Sequence, residues 1–166
     1  MTRTRVPAVE GLFTLDDPPH LIGGLLPSGA YCFPAHLGGG DPSVAGGEIT
    51  EVLLSRVGRL WSWTTSHYPP PPPFVAATDP YEPIVIAAVE LEREKMIVLG
   101  QVVAGVGVDE LHLGQRMEVV VDVLDRDEHV EHLVWKWRPL DAAADAAADG
   151  DDADDGTRAG TRGGER

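Results

Sequence analysis

Three stretches of this chain carry side chains that could do chemistry. In the first, Trp61-Ser62-Trp63 runs into Ser66-His67-Tyr68, then five consecutive prolines at 69–73, then Phe74. A histidine there could move protons near neutral pH. No carboxylate stands at a meaningful spacing from His67, so anchoring the loop or facing solvent is the better reading. The second stretch gathers Asp127, Glu128, His129, Glu131 and His132. On a strand only alternate residues share a face, which leaves Asp127, His129 and Glu131 together and His132 opposite. A solvated hairpin turn is favoured over a metal site. The third, Gly100 to Gly107, has the glycine spacing of a phosphate loop but is followed by Val108-Asp109. A phosphate loop needs Lys and Ser/Thr there. The single cysteine, Cys32, excludes an intrachain disulfide and a thiolate cluster. No Ser/His/Asp arrangement is recognisable, and the reactive side chains point away from catalysis.

Binding is better signalled. All four tryptophans fall in two Trp-x-Trp pairs, Trp61/Trp63 and Trp135/Trp137, each inside a strand-like run. Alternation along a strand predicts that each pair presents both rings on one sheet face. Those faces can be core, because aromatic rings supply much of the buried area of small β domains, or ligand and partner surface. Consecutive prolines favour an extended polyproline helix with little freedom left to lose on docking. The run can serve as a rigid spacer. With Tyr68, Phe74 and Tyr81 it can also form a semi-rigid arm against a larger subunit. The candidate contact residues are therefore Trp61, Trp63, His67, Tyr68, Phe74, Tyr81, Trp135 and Trp137.

The charge balance narrows the partner. The 166 residues carry a formal charge of −14. Residues 141–166 hold eight acids and three bases, so residues 1–140 are acidic in their own right. Nucleic-acid binders need a basic footprint to displace counterions, which argues against that class. No apolar run reaches the roughly 18 residues that span a bilayer, and Glu10, Asp16 and Asp17 interrupt any leader-like stretch. A cytoplasmic protein is expected.

The elements that would position these residues are strands. Ile49 to Leu54, Leu60 to Tyr68 after the turn-capable Gly58, Pro83 to Leu91, Met96 to Val103, Gln115 to Leu124 and His129 to Trp137 are rich in β-branched and aromatic residues. Glu92 to Lys95 and Asp125 to Glu128 read as exposed turns. Five longer strands with a helical turn at Val108 to Leu113 between the third and fourth match a five-stranded OB-fold barrel; a sandwich is the alternative. Residues 21–47 hold eight of the nineteen glycines and read as turns, not regular structure. Residues 1–20 form an extended segment, 48–140 the barrel. The Asp/Ala/Gly-rich tail 141–166 lacks the apolar side chains needed to offset the entropy of ordering, so disorder is expected.

Taken in order, His20-Leu21-Ile22-Gly23-Gly24, Tyr31-Cys32-Phe33-Pro34, Ala45-Gly46-Gly47-Glu48, Leu54-Ser55-Arg56, Trp61-Ser62-Trp63, Pro80-Tyr81-Glu82-Pro83, Ala88-Val89-Glu90-Leu91, Val98-Leu99-Gly100-Gln101-Val102 and Leu133 to Pro139 resemble the DUF35 family over residues 8–140. The resemblance implies a rubredoxin-like zinc ribbon followed by an OB fold. It further implies a non-catalytic partner subunit of thiolase-like enzymes, including lipid-transfer-type thiolases and retro-aldolases of steroid or aromatic breakdown. The thiolase-fold chain would carry the chemistry, and acyl-CoA would bind at the shared interface.

One departure stands out. Counted from the family's anchors, the four zinc-ligand positions are Leu26, Gly29, Gly39 and Val44. None is a Cys or His donor, and structural zinc needs four. The ribbon is therefore expected to hold no zinc, with Cys32 as a small buried hydrophobe, and to be shaped by packing of Leu25, Leu26, Phe33 and Leu37. A free-standing acyl-CoA or acyl-lipid binder is the rival reading. Coenzyme A is highly anionic, and Arg56, Arg59, Lys136 and Arg138 are the strand cations available to it. A single-strand nucleic-acid binder is suggested by barrel and aromatics alone, and the charge opposes it.

Overall fold

The structure is a computed structural model and describes residues 3–37 and 47–140. Nine strands occur among these residues: β1 Thr4–Pro7, β2 Ile22–Leu25, β3 Tyr31–Cys32, β4 Thr50–Leu53, β5 Val57–Ser66, β6 Ile84–Leu91, β7 Met96–Gln101, β8 Arg116–Arg126 and β9 Val130–Pro139. The expected acidic tail, and with it the ribbon positions Gly39 and Val44, lies outside the described residues.

Alternating apolar positions curl the five long strands into one sheet. Its order is β1-β9-β8-β5-β6-β7. Met117, Val119, Val89, Leu91, Val98, Leu133 and Trp137 point inward and are buried. Beyond β7, Val102 bridges Trp137 in parallel, and Val103 N–H donates to Trp137 O at 2.9 Å. That contact closes the sheet on itself, leaving strand order β5-β6-β7-β9-β8, the connectivity of the OB barrel. The helical turn between the third and fourth barrel strands is a single 3₁₀ turn, Val108–Glu110.

Several sequence expectations change. Residues 21–47 are not turns alone: β2 and β3 form a hairpin, and β4 joins β2 to make a second, three-stranded sheet of order β3-β2-β4. The hairpin turns at Gly29, whose φ of +85° favours glycine. Strand β4 therefore belongs with the ribbon, and the barrel begins at Val57 rather than at residue 48. The extended segment 1–20 contributes a strand, because β1 pairs in parallel with β9, and a core residue, because Phe13 bridges Leu21 and is buried. Gly58 lies inside β5 rather than in a turn, and a Cβ there would collide with Glu90 O.

The last change concerns the turn 92–95. Its charges predicted exposure, yet Glu94 is only 5% exposed. Its Oε1 accepts from Ser55 N at 2.8 Å, from Ser55 Oγ at 3.0 Å and from Arg93 Nε at 2.9 Å. Burial opposes ionisation of this carboxyl, but the Ser55 and Arg93 hydrogen bonds outweigh it and hold its pKa below the ordinary value. Glu94 thus ties the β6–β7 turn to the segment joining the two sheets. In the ribbon, Leu26 and Cys32 are buried as expected, whereas Leu37 is exposed. Gly24 has no side chain because Cys32 Sγ lies where its Cβ would be.

Candidate functional site

The two tryptophan pairs meet opposite fates. On β9 plain alternation holds. Trp135 and Trp137 both face inward, with ring centroids 5.7 Å apart and planes at 86°. Trp135 also meets Phe33 of the ribbon edge-on at 5.8 Å, and Gly100 is glycine because the Trp135 ring covers its Cα. Trp137 is 0% exposed. These two indoles are core and the seam between ribbon and barrel, so as surface contacts they are corrected: closure of the sheet places their whole face inside.

On β5 alternation fails. Leu60 pairs with Val89 and Trp63 with Ala87, both inward partners, and the register shifts between Leu60 and Ser62. This bulge inserts one residue, so Trp63 packs against the core while Trp61 turns outward. The expectation of two rings on one face is overturned here. Trp61 is 60% exposed. Across the sheet, Ser62 pairs with Ala88 and Ala88 with Leu99, while Arg59 pairs with Glu90 and Glu90 with Ile97. Ile97 and the 68%-exposed Leu99 therefore share the outer face with Trp61. Arg59 and Glu92, paired at 2.8 Å, rim it. Ile97 and Leu99 were missed in the sequence, although alternation about the inward Val98 signals them.

The connection from β5 to β6 carries the remaining candidates. His67, Tyr68 and Pro71 to Pro73 are exposed, Tyr68 at 83%. The proline run does not continue as one extended helix: Phe74 N–H donates to Pro71 O at 3.3 Å and reverses the chain. Phe74 and Tyr81 consequently fold back instead of projecting. Tyr81 Oη donates to Ser66 O at 3.0 Å and clasps the loop base, and both rings line a cavity of ≈ 160 Å³ at the barrel mouth. The arm reduces to Tyr68 and the prolines.

A second concavity, ≈ 510 Å³, lies between the segment 15–19 and the outer face of β8 and β9, and Arg5, Arg56 and Arg138 line it. Arg56 and Arg138 both hold the buried Glu118. Burial would raise this carboxyl's pKa, yet Arg138 and Arg56 pull it below the ordinary range. Within the acidic stretch 125–132 only residues 127–129 form the exposed turn, while Asp125 lies near the end of β8 and Glu131 and His132 lie half-buried on β9. Asp127 Oδ1 accepts from the N–H groups of His129 and Val130, each at 2.7 Å, which lowers its pKa. His132 pairs with Asp125. Among the described residues no group of three His, Cys, Asp or Glu could hold a metal ion, and no helix is long and apolar enough to cross a membrane.

A five-stranded barrel fused to a three-stranded sheet, with exposed apolar residues on its outer face and a proline-rich first loop, defines an OB-fold protein. Residues 51–122 match the family described as "ChsH2, C-terminal OB-fold domain". Over these residues, which run from β4 into β8, the chain is similar to the DUF35 OB-fold family. The chain is also similar to a solved structure titled "Ltp2-ChsH2(DUF35) aldolase", with 25% identity, TM-score 0.48, and coverage of 72% of this chain and 84% of that chain. No curated protein matches the chain.

Proposed function

We propose that this chain is a non-catalytic OB-fold accessory subunit of a thiolase-fold enzyme acting on acyl-CoA thioesters, in steroid or aromatic breakdown, with no zinc of its own. The observation that carries the reading is the unpartnered apolar face of Trp61, Ile97 and Leu99 on a family-assigned barrel. A sheet face of this kind, rimmed by a charged pair, is how a subunit presents an interface. The exposed Tyr68 and prolines extend that offer at the first barrel loop. The partner supplies the nucleophile and base, and the indole face stabilises the catalytic dimer and walls its acyl-CoA entrance.

Co-expression with thiolase-fold chains tests this. The expected outcome is a stable complex lost in Trp61→Glu and Leu99→Glu, and weakened by Gly/Ser replacement of Pro70 to Pro73 with little change in Tm. A complex indifferent to both surface changes, or thioester turnover by the chain alone, removes the proposal. One observation favours a second reading, a free-standing acyl-CoA binder: the groove lined by Arg5, Arg56 and Arg138, together with Asp16 and Asp17, lies within the size range of ligand pockets, roughly 300–1,000 Å³. Calorimetry with isolated protein separates the two, since micromolar acyl-CoA binding without a partner supports only the second.

A further inference from the structure

Lys136 occupies an outward position on β9, between the inward Trp135 and Trp137, where a lysine ordinarily reaches water. Here it is only 7% exposed. It lines the cavity under the folded-back proline loop, together with Phe74, Val85, Val103, Val106 and Leu124. Its Nζ donates to Asp122 Oδ2 at 2.8 Å. An ammonium has three donors, so Asp122 occupies one of them. The cavity volume, ≈ 160 Å³, is close to the about 150 Å³ that accommodates a benzene ring in an apolar protein interior.

We propose that this cavity is a binding site for a small neutral carbonyl compound, a benzene-sized apolar group whose carbonyl oxygen accepts a hydrogen bond from Lys136. The electrostatics select a neutral acceptor over an anion. Asp122 already balances the ammonium, and Glu82 also lines the cavity. A third carboxylate would lose its hydration shell beside two others, whereas a ketone, ester or thioester oxygen uses a spare donor without adding charge. The ionised state of Asp122 accords with this. Burial disfavours its charge, but Lys136 and the Val123 N–H hold its pKa below the ordinary value. The loop that closes the site is anchored by the Tyr81–Ser66 hydrogen bond, so the pocket exists before any ligand arrives. The site is separate from the Trp61 face and does not depend on the subunit reading.

The test is an NMR titration of the full chain with acetophenone, ethylbenzene and benzoate as probes, on the unmodified protein, Lys136→Met and Val106→Phe. Acetophenone is expected to bind about tenfold more tightly than ethylbenzene, with shifts at Val85, Val103 and Lys136, and more tightly than benzoate. Lys136→Met removes the donors at nearly constant volume and leaves Asp122 open to water. It should bring the acetophenone-to-ethylbenzene ratio to about one while ethylbenzene still binds. Val106→Phe should abolish both by filling the cavity. The proposal is overturned if neither apolar probe saturates, if the ratio survives in Lys136→Met, if binding persists in Val106→Phe, or if benzoate binds tightest.

Discussion

Trp61-Ser62-Trp63 and Trp135-Lys136-Trp137 share one spacing and almost nothing else. On β9 the pair follows strict alternation, and sheet closure makes its face the interior. On β5 a single inserted residue breaks the alternation, sending one indole into the core and the other into solvent. A period-two pattern states only relative orientation. Which face is the interior, and whether the count slips, is decided by the strands on either side. Between the outward positions, Lys136 is covered by a loop and Ser62 is not, so even outward does not mean exposed.

The largest expected effect comes from the sealed pair. Trp137→Ala should cost about 3–5 kcal/mol, as large-to-small changes of buried aromatics do, which is much of a typical domain stability of roughly 5–15 kcal/mol. Urea melts monitored by far-ultraviolet dichroism would show it. A cost near zero would mean the two pairs are equally peripheral.

Next in size is the outer face behind that pair. Glu118→Gln should destabilise by on the order of 1–3 kcal/mol at neutral pH, because it weakens charged hydrogen bonds to Arg56 and Arg138. Glu118 and Glu94 both have folded pKa values lowered from 4.5. Their contribution is therefore fully present above pH 4.5 and is lost as pH falls through the folded values. Stability measured from pH 7 down should drop below pH 4.5, less steeply in Glu118→Gln. Equal slopes would remove Glu118 from the account.

The seam is a finer measurement. A double-mutant cycle of Phe33→Leu and Trp135→Phe should return a coupling of about 0.5–1.5 kcal/mol for the edge-on rings. Zero coupling would leave the seam to the packing of Leu54, Phe13, Leu21 and Tyr31 and to the Ser55–Glu94 hydrogen bonds. Smallest of all, Trp61→Ala should change stability by no more than about 0.5 kcal/mol, and a larger loss would show that Trp61 supports its own chain and is not a free surface. The contrast with Trp137 is thus an equilibrium measurement on two variants, Trp61→Ala and Trp137→Ala.

The sequence by itself determined the barrel. β-branched runs at regular spacing and a helical turn between the third and fourth strands act locally or depend on chain order, and both survive in the structure. Tertiary structure decided what depends on who lies across the strand. The bulge at Trp61, the inward turn of Phe74 and Tyr81, the burial of Glu94 behind Ser55 and of Lys136 under a loop, and the transfer of β4 to the ribbon sheet are all of this kind. A side chain's chemistry is written in the chain, but its access to water is set by neighbours tens of residues away, and exposure is what separates a core ring from a contact surface.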